Sequence, residues 1–197
     1  MKTLFSFICI CLMSVPSFAQ DKSVATKEVQ IKTAVLAAPD EKQADATVMG
    51  YNESGELIEL RKGSNGMICL ASDPNGKGFS VSCYQADLEP FMIRGRELKK
   101  EGKSFQEIFD TREAEAKSGK LKMPAEGATL YVLTTDAENY NKTTGEVSDT
   151  YLRYVVYLPW ATSQTTGLPL KPSAPGMPWI MDPGTHRAHI MITPVRD

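Results

Sequence analysis

The chain has only two histidines, three residues apart near its end, in Asp182-Pro183-Gly184-Thr185-His186-Arg187-Ala188-His189. His-x-x-His with an acid close by offers imidazole and carboxylate, both of which zinc accepts as ligands. On a strand, however, positions i and i+3 point to opposite faces. His186 joins His189 only where the Gly184-Thr185 turn redirects it. A metal-dependent hydrolase centred on His186 and His189, with Asp182 as a further ligand and zinc as its cofactor, is therefore the alternative reading. The plainer one is two polar histidines at a loop–strand junction. Other reaction signatures are missing: there is no Gly-x-Ser-x-Gly elbow, no Gly-rich phosphate loop before a helix and no His-Glu-x-x-His. No catalytic residue is assigned, and outside the zinc alternative no cofactor is expected.

Aromatic residues point instead to binding. In the β-rich run 151–158, Tyr151, Arg153, Val155 and Tyr157 share one face, and Leu152, Tyr154, Val156 and Leu158 share the other. Two tyrosines and an arginine near Trp160 and Trp179 are the residue types enriched where proteins recognise partners. The competing reading covers both faces, one by helices and one by a Pro-rich strap.

Cysteine usage depends on the first nineteen residues. Lys2 precedes an apolar run from Leu4 to Val15, and Ser17-Phe18-Ala19 puts small residues at −3 and −1 before Gln20. That pattern is a secretory signal peptide; the run is shorter than the roughly 20 residues that span a bilayer. Cleavage removes Cys9 and Cys11 and leaves Cys69 and Cys83, an even pair in an oxidising compartment. Asp73-Pro74-Asn75-Gly76 between them has turn chemistry, which lets the chain double back and form a disulfide.

The leader carries only Lys2, so of 22 basic and 24 acidic residues the mature chain keeps 21 and 24, a net charge of −3. Such a balance gives no long-range attraction to nucleic acid, and nothing after the leader inserts stably in a membrane. The remaining length suits one domain. Residues 28–38 read as a short helix, with a strand as the alternative. Thr47-Val48-Met49, Leu57–Leu60, Met67–Leu70 and Phe79–Cys83, separated by Gly/Asn turns, read as a β-meander. Asp87 is placed to cap a helix with Pro90 in its first turn, and Ser104-Phe105-Gln106-Glu107 matches a capping box. Both helices, 87–101 and 104–118, have apolar stripes, including Phe105, Ile108, Phe109 and Ala116, that predict core-facing sides. Segments 129–135, 151–158 and 187–193 are strands, and prolines across 162–184 exclude helix and central strand. The expected fold is α+β: a single domain over 20–197, an antiparallel sheet with two or three helices packed on it and a Pro-rich surface loop at 162–184.

A family resemblance follows from Ala37-Ala38-Pro39, Ala46-Thr47-Val48-Met49, Leu60-Arg61-Lys62-Gly63-Ser64-Asn65-Gly66-Met67-Ile68-Cys69, Asp73-Pro74, Cys83 and His189-Ile190-Met191. This resembles secreted bacterial proteins with a Leu-Arg-x-Gly-x-Asn-Gly-x-x-Cys strand, an Asp-Pro loop to a second Cys and a late His-x-Met strand. Met67 stands where that pattern carries Trp. The resemblance implies a bacterial extracytoplasmic protein with a Cys69–Cys83 bridge, and no activity. Together these readings predict a periplasmic or secreted module that binds a small ligand or an extracytoplasmic protein without catalysis. N-terminal sequencing of the exported protein is expected to begin at Gln20; an intact Met1 overturns the leader.

Overall fold

The computed structural model describes residues 23–196, so the expected leader lies outside the described residues. Eight strands run β1 Thr47–Tyr51, β2 Leu57–Arg61, β3 Met67–Leu70, β4 Phe79–Gln85, β5 Ala128–Thr135, β6 Tyr151–Tyr157, β7 Trp179–Met181 and β8 His189–Ile192. The helices are α1 Lys27–Ala34, α2 Asp40–Gln43, α3 Glu89–Lys100, α4 Phe105–Lys117 and α5 Ser163–Thr166. All strands join one sheet in the order β2-β1-β3-β4-β5-β6-β8-β7. The chain is a single α+β domain.

The expected meander does not form, because β3 pairs with β1 rather than β2, and that pair is parallel. The reason lies in the Gly63–Gly66 turn. Its amides return to the start of β1, with Ser64 N donating to Asp45 O at 2.8 Å and Gly63 N to Thr47 Oγ1 at 3.0 Å. The Asn65 side chain adds a 2.7 Å bond to Lys42 O. β2 is thereby left at the edge and β3 starts alongside β1. The other strand pairs are antiparallel, so the sheet is mixed rather than purely antiparallel.

Strand alternation divides the core into two layers. Val48, Cys69, Val81, Cys83 and Leu133 pack with Ala34, Val35 and Ala37 of α1 and the 3₁₀ turn that extends it. Tyr84, Leu130, Val155 and Tyr157 pack on the opposite face with Leu88, Phe91 and Leu121, Met92 and Ala116 lying against them. The 28–38 segment is thus helical, not a strand. Gln30 explains how it docks: its side-chain amide donates to Tyr51 O at 2.8 Å and accepts from Tyr51 N at 2.7 Å.

At the second layer three details depart from the sequence pattern. Asp87 is not the cap of α3; a 3₁₀ turn, Ala86–Leu88, leads in, and the Gln85 side chain accepts from Asp87 N. Pro90 does sit in the first turn of α3, and the Ser104/Glu107 capping box opens α4. The α4 stripe is not uniformly core-facing, because Phe105 is 65% exposed while Arg112 is 8% exposed. Arg112 places its guanidinium 3.9 Å over the Phe91 ring and donates to Phe91 O. Gly95 of α3 makes room for it, since a Cβ there would lie 2.8 Å from Arg112 Nη1. Helix was also excluded from the Pro-rich stretch, yet α5 forms before its first proline, with Thr162 capping and Gly167 at φ +70° ending it. β7 lies within the stretch but at the sheet edge, where proline-rich flanks cost least.

Cys69 and Cys83 face each other in register across β3 and β4 and are joined by a disulfide, with Cα atoms 4.0 Å apart. Closing a loop of 14 residues restricts the unfolded chain by about 3 kcal/mol. Cys69→Ser is expected to lower unfolding stability by about 2–4 kcal/mol. Denaturant titration of the oxidised protein and the variant measures it, and equal midpoints would show that the bridge contributes nothing.

Candidate functional site

His186 is completely buried, and two helices surround it. α4 brings Phe109 to a ring-centroid distance of 5.0 Å, α3 brings Phe91 to 5.8 Å, and Glu113 of α4 meets Nδ1 at 2.6 Å. The His186 backbone amide donates to the same carboxylate oxygen at 2.9 Å. Burial works to raise the Glu113 carboxyl but is outweighed by hydrogen bonds from Lys117 and from the His186 amide and ring, which hold it at about 2. Burial depresses the imidazole. Glu113 is therefore ionised, and neutral His186 donates through Nδ1. Nε2 then carries the free lone pair, buried without a partner.

The turn that inserts His186 is held by backbone hydrogen bonds to the end of β6. Trp160 N donates to Thr185 O at 2.8 Å, Gly184 N to Ala161 O at 2.8 Å, and Leu158 N to Ala188 O at 2.9 Å. Trp160 at φ +68° and Asp182 at φ +49° adopt the left-handed region to close this junction. For a side chain as large as Trp that conformation is strained and persists only under tertiary constraint.

Of the three residues in the histidine reading, His186 meets Glu113. His189 is buried against Tyr157, its Nδ1 2.6 Å from Arg187 O. Asp182 accepts from Arg187 Nη1 at 2.7 Å. Each of the three side chains is thus engaged with a protein partner. Among the described residues no group of three or more His, Cys, Asp and Glu is arranged to hold a metal ion. Glu113 and Arg112 were not singled out from sequence. Arg112 had a signal all the same: it continues the Phe105–Phe109 stripe at helical spacing, where an apolar residue is the norm. Glu113 had none, since its partner lies 73 residues away.

The five residues expected to bind fall in different places. Tyr157 is buried between Phe91 and His189. Tyr151 and Arg153 lie on the same sheet face but beyond the helices, both half-buried. Trp179 pairs with Met191, which pairs with Val155, so it also belongs to this face. Trp160 lies past the end of β6, partly exposed, with the Lys117 ammonium 6.0 Å from its ring.

Concave surface gathers elsewhere, around the turn that the disulfide closes. A cleft of about 780 Å³ is walled by Gln30 and Thr33 of α1, by residues of the 71–79 loop and by the 137–143 segment. Tyr140 packs on buried Phe79 within it, the ring centroids 4.6 Å apart and the planes tilted by 50°. Asp73, Glu138, Asn141 and Lys142 supply polar groups around its walls. The turn is held by Gly76 N to Asp73 O and Asn75 N to Asp73 Oδ1, both at 2.9 Å. A second cleft of about 410 Å³ uses the same loop and opens toward Tyr51, Leu70, Ser80, Ser82 and Thr134. Sequence marked the loop as a turn but gave no sign that 137–143, in the long polar connection after β5, would wall a cleft with it.

Burial depresses His186 and His189 below the ordinary 6.5, against the Glu113 bond at the first and the Arg187 carbonyl at the second. The unfolded chain then binds more protons in acid, so their contribution is complete above about pH 6.5 and is lost as pH falls through the depressed values. Glu113 acts in the same direction at lower pH, as its carboxyl protonates only near about 2. Stability from denaturant unfolding should therefore fall from pH 7 to 5, and less steeply in His186→Asn, which keeps a donor to Glu113 but does not titrate. An unchanged slope in that variant would remove His186 from the account. In comparisons with known proteins, no family model matches this chain, and no curated protein or solved structure is similar to it.

Proposed function

We propose that this chain is an exported, periplasmic or secreted module that binds a small ligand or partner protein without catalysis, with the 780 Å³ cleft as its ligand seat. The cleft carries the reading. It is large enough for a small organic molecule, it mixes an aromatic floor with amide, hydroxyl and charged walls, and its loop is fastened at the base by Cys69–Cys83. A rigid wall costs less ordering entropy on binding than a mobile one. The leader pattern and the likeness to secreted bacterial proteins support the compartment, and a disulfide is compatible with it. Among the described residues no helix is long and apolar enough to cross a membrane.

Carboxylate, ammonium, amide and hydroxyl side chains facing one aromatic pair suit a polar, neutral or zwitterionic molecule. The test is an NMR titration of the exported protein with defined mixtures of monosaccharides, amino acids and dipeptides. Shifts confined to 71–79 and 137–143, and abolished by Thr143→Trp at the mouth of the cleft, are the expected result. Thr143 is exposed, and only its backbone amide is engaged, with Asn141 Oδ1, so the substitution leaves the turn intact. No shifts at those segments with any mixture, or shifts that Thr143→Trp leaves unchanged, would overturn the seat. The hydrolase alternative is decided by elemental analysis: stoichiometric zinc, lost in a His186→Ala/His189→Ala double variant, would replace the binding reading.

A further inference from the structure

Arg153 is a cation without a counter-ion. It stands half-buried on the sheet face that α3 and α4 only partly cover, and its Nε is buried without an acceptor. Among the described residues its side chain has no hydrogen-bond or ion-pair partner. Buried donors are almost always satisfied, and a guanidinium has five of them in a fork that matches a carboxylate. Across the sheet at this level its neighbours are Val132, Ser82, Leu70 and Met49, and the first acid of the row, Glu59, stands on edge strand β2, five strands away.

A second guanidinium lies over Tyr151 of the same strand. Tyr151, two residues before Arg153 on the same face and about 7 Å away along the strand, has the Arg196 guanidinium 4.6 Å over its ring. Its hydroxyl donates to Pro194 O at 2.8 Å, which fixes the C-terminal segment carrying Arg196 beside β6. Asp149, two residues before Tyr151, is exposed, and no ion pair joins it to either arginine. Beside Arg153, Val132 and Met191 are only partly buried and give apolar surface, and Ser82 and Thr134 add hydroxyls in the adjoining 410 Å³ cleft.

The geometry points to a second binding site on this face, separate from the cleft proposed above, for a small organic acid. Its carboxylate is held by Arg153 and steered by Arg196, and its apolar body lies on Val132 and Met191. Complementary charge is what selects this occupant: Arg153, with no acid on its adjacent strands, and a second guanidinium over Tyr151 favour an anion, and the flanking apolar side chains favour one attached to hydrocarbon rather than a bare inorganic ion.

Calorimetric titration of the exported protein with 1-naphthoate and with its neutral counterpart 1-naphthalenemethanol tests this. The acid should bind at least about tenfold more tightly than the alcohol, the scale of a charge-assisted hydrogen bond. Arg153→Gln should lose that preference, Arg196→Gln should reduce it, and Thr143→Trp should leave it unchanged, which separates this site from the other cleft. If Arg153→Gln does not fold, Arg196→Gln decides. Equal binding of acid and alcohol, no binding of naphthoate at millimolar concentration, or full acid preference in a folded Arg153→Gln or in Arg196→Gln would overturn the proposal. So would naphthoate binding that Thr143→Trp abolishes.

Discussion

Strand β4 has to satisfy two sides at once. Phe79, Val81 and Cys83 point to α1, where all three are buried, while Ser80, Ser82 and Tyr84 point the other way. Only Tyr84 on that side lies under α3, where its hydroxyl bonds Glu89 and receives Arg96 Nη1. The serines mark where helical cover ends. Burying both faces of a sheet takes helices on both; here Tyr84, Val155 and Tyr157 are buried against α3, whereas on the same face Ser80 is exposed and Ser82, Val132 and Arg153 are half-buried, so that half is the more open one. The open half holds Tyr151, Arg153 and the smaller cleft, and the connections at that end wall the larger one.

On the covered half the core is unexpectedly polar. Arg112, Glu113, His186 and His189 are linked there through Phe91 and Tyr157, and Arg94 clamps α3 to Glu115 of α4 with two bonds at 2.8 and 2.9 Å. Such groups are tolerated because most of their polar atoms find partners, as Glu113 does with three donors. The exceptions are His186 Nε2 and Arg112 Nε. A purely apolar core would not need the strained Trp160 and Asp182 turns that bring His186 inside. Their persistence shows how firmly the 184–188 turn is tied to the end of β6.

Local chemistry was legible wherever a residue acts on its own neighbours. The Ser104–Glu107 box, Pro90 in the first turn of α3, the Asn/Gly turns and the alternating faces of β6 and β8 all depend on contacts within a few residues. The registered cysteines were legible too, because one turn separates their strands. Failures came where a distant partner outweighed a local preference. β3 was drawn beside β1 by bonds from 63–65 back to 42–47, and the α4 stripe buries Arg112 against Phe91 of α3 while Phe105, at the first position of α4, stays exposed.

By itself the sequence determined the strand and helix segments other than α2, α5 and β7, the disulfide and the residue types available for binding, since hydrophobic period, turn residues and cysteine count act through the nearby chain. Tertiary structure alone decided the strand order, the withdrawal of Tyr157 into the core, the pairing of Glu113 with His186 across 73 residues and the isolation of Arg153. Those outcomes depend on which faces meet. Helix coverage of a sheet is set by the lengths and offsets of elements far apart in the chain, and no local pattern encodes them.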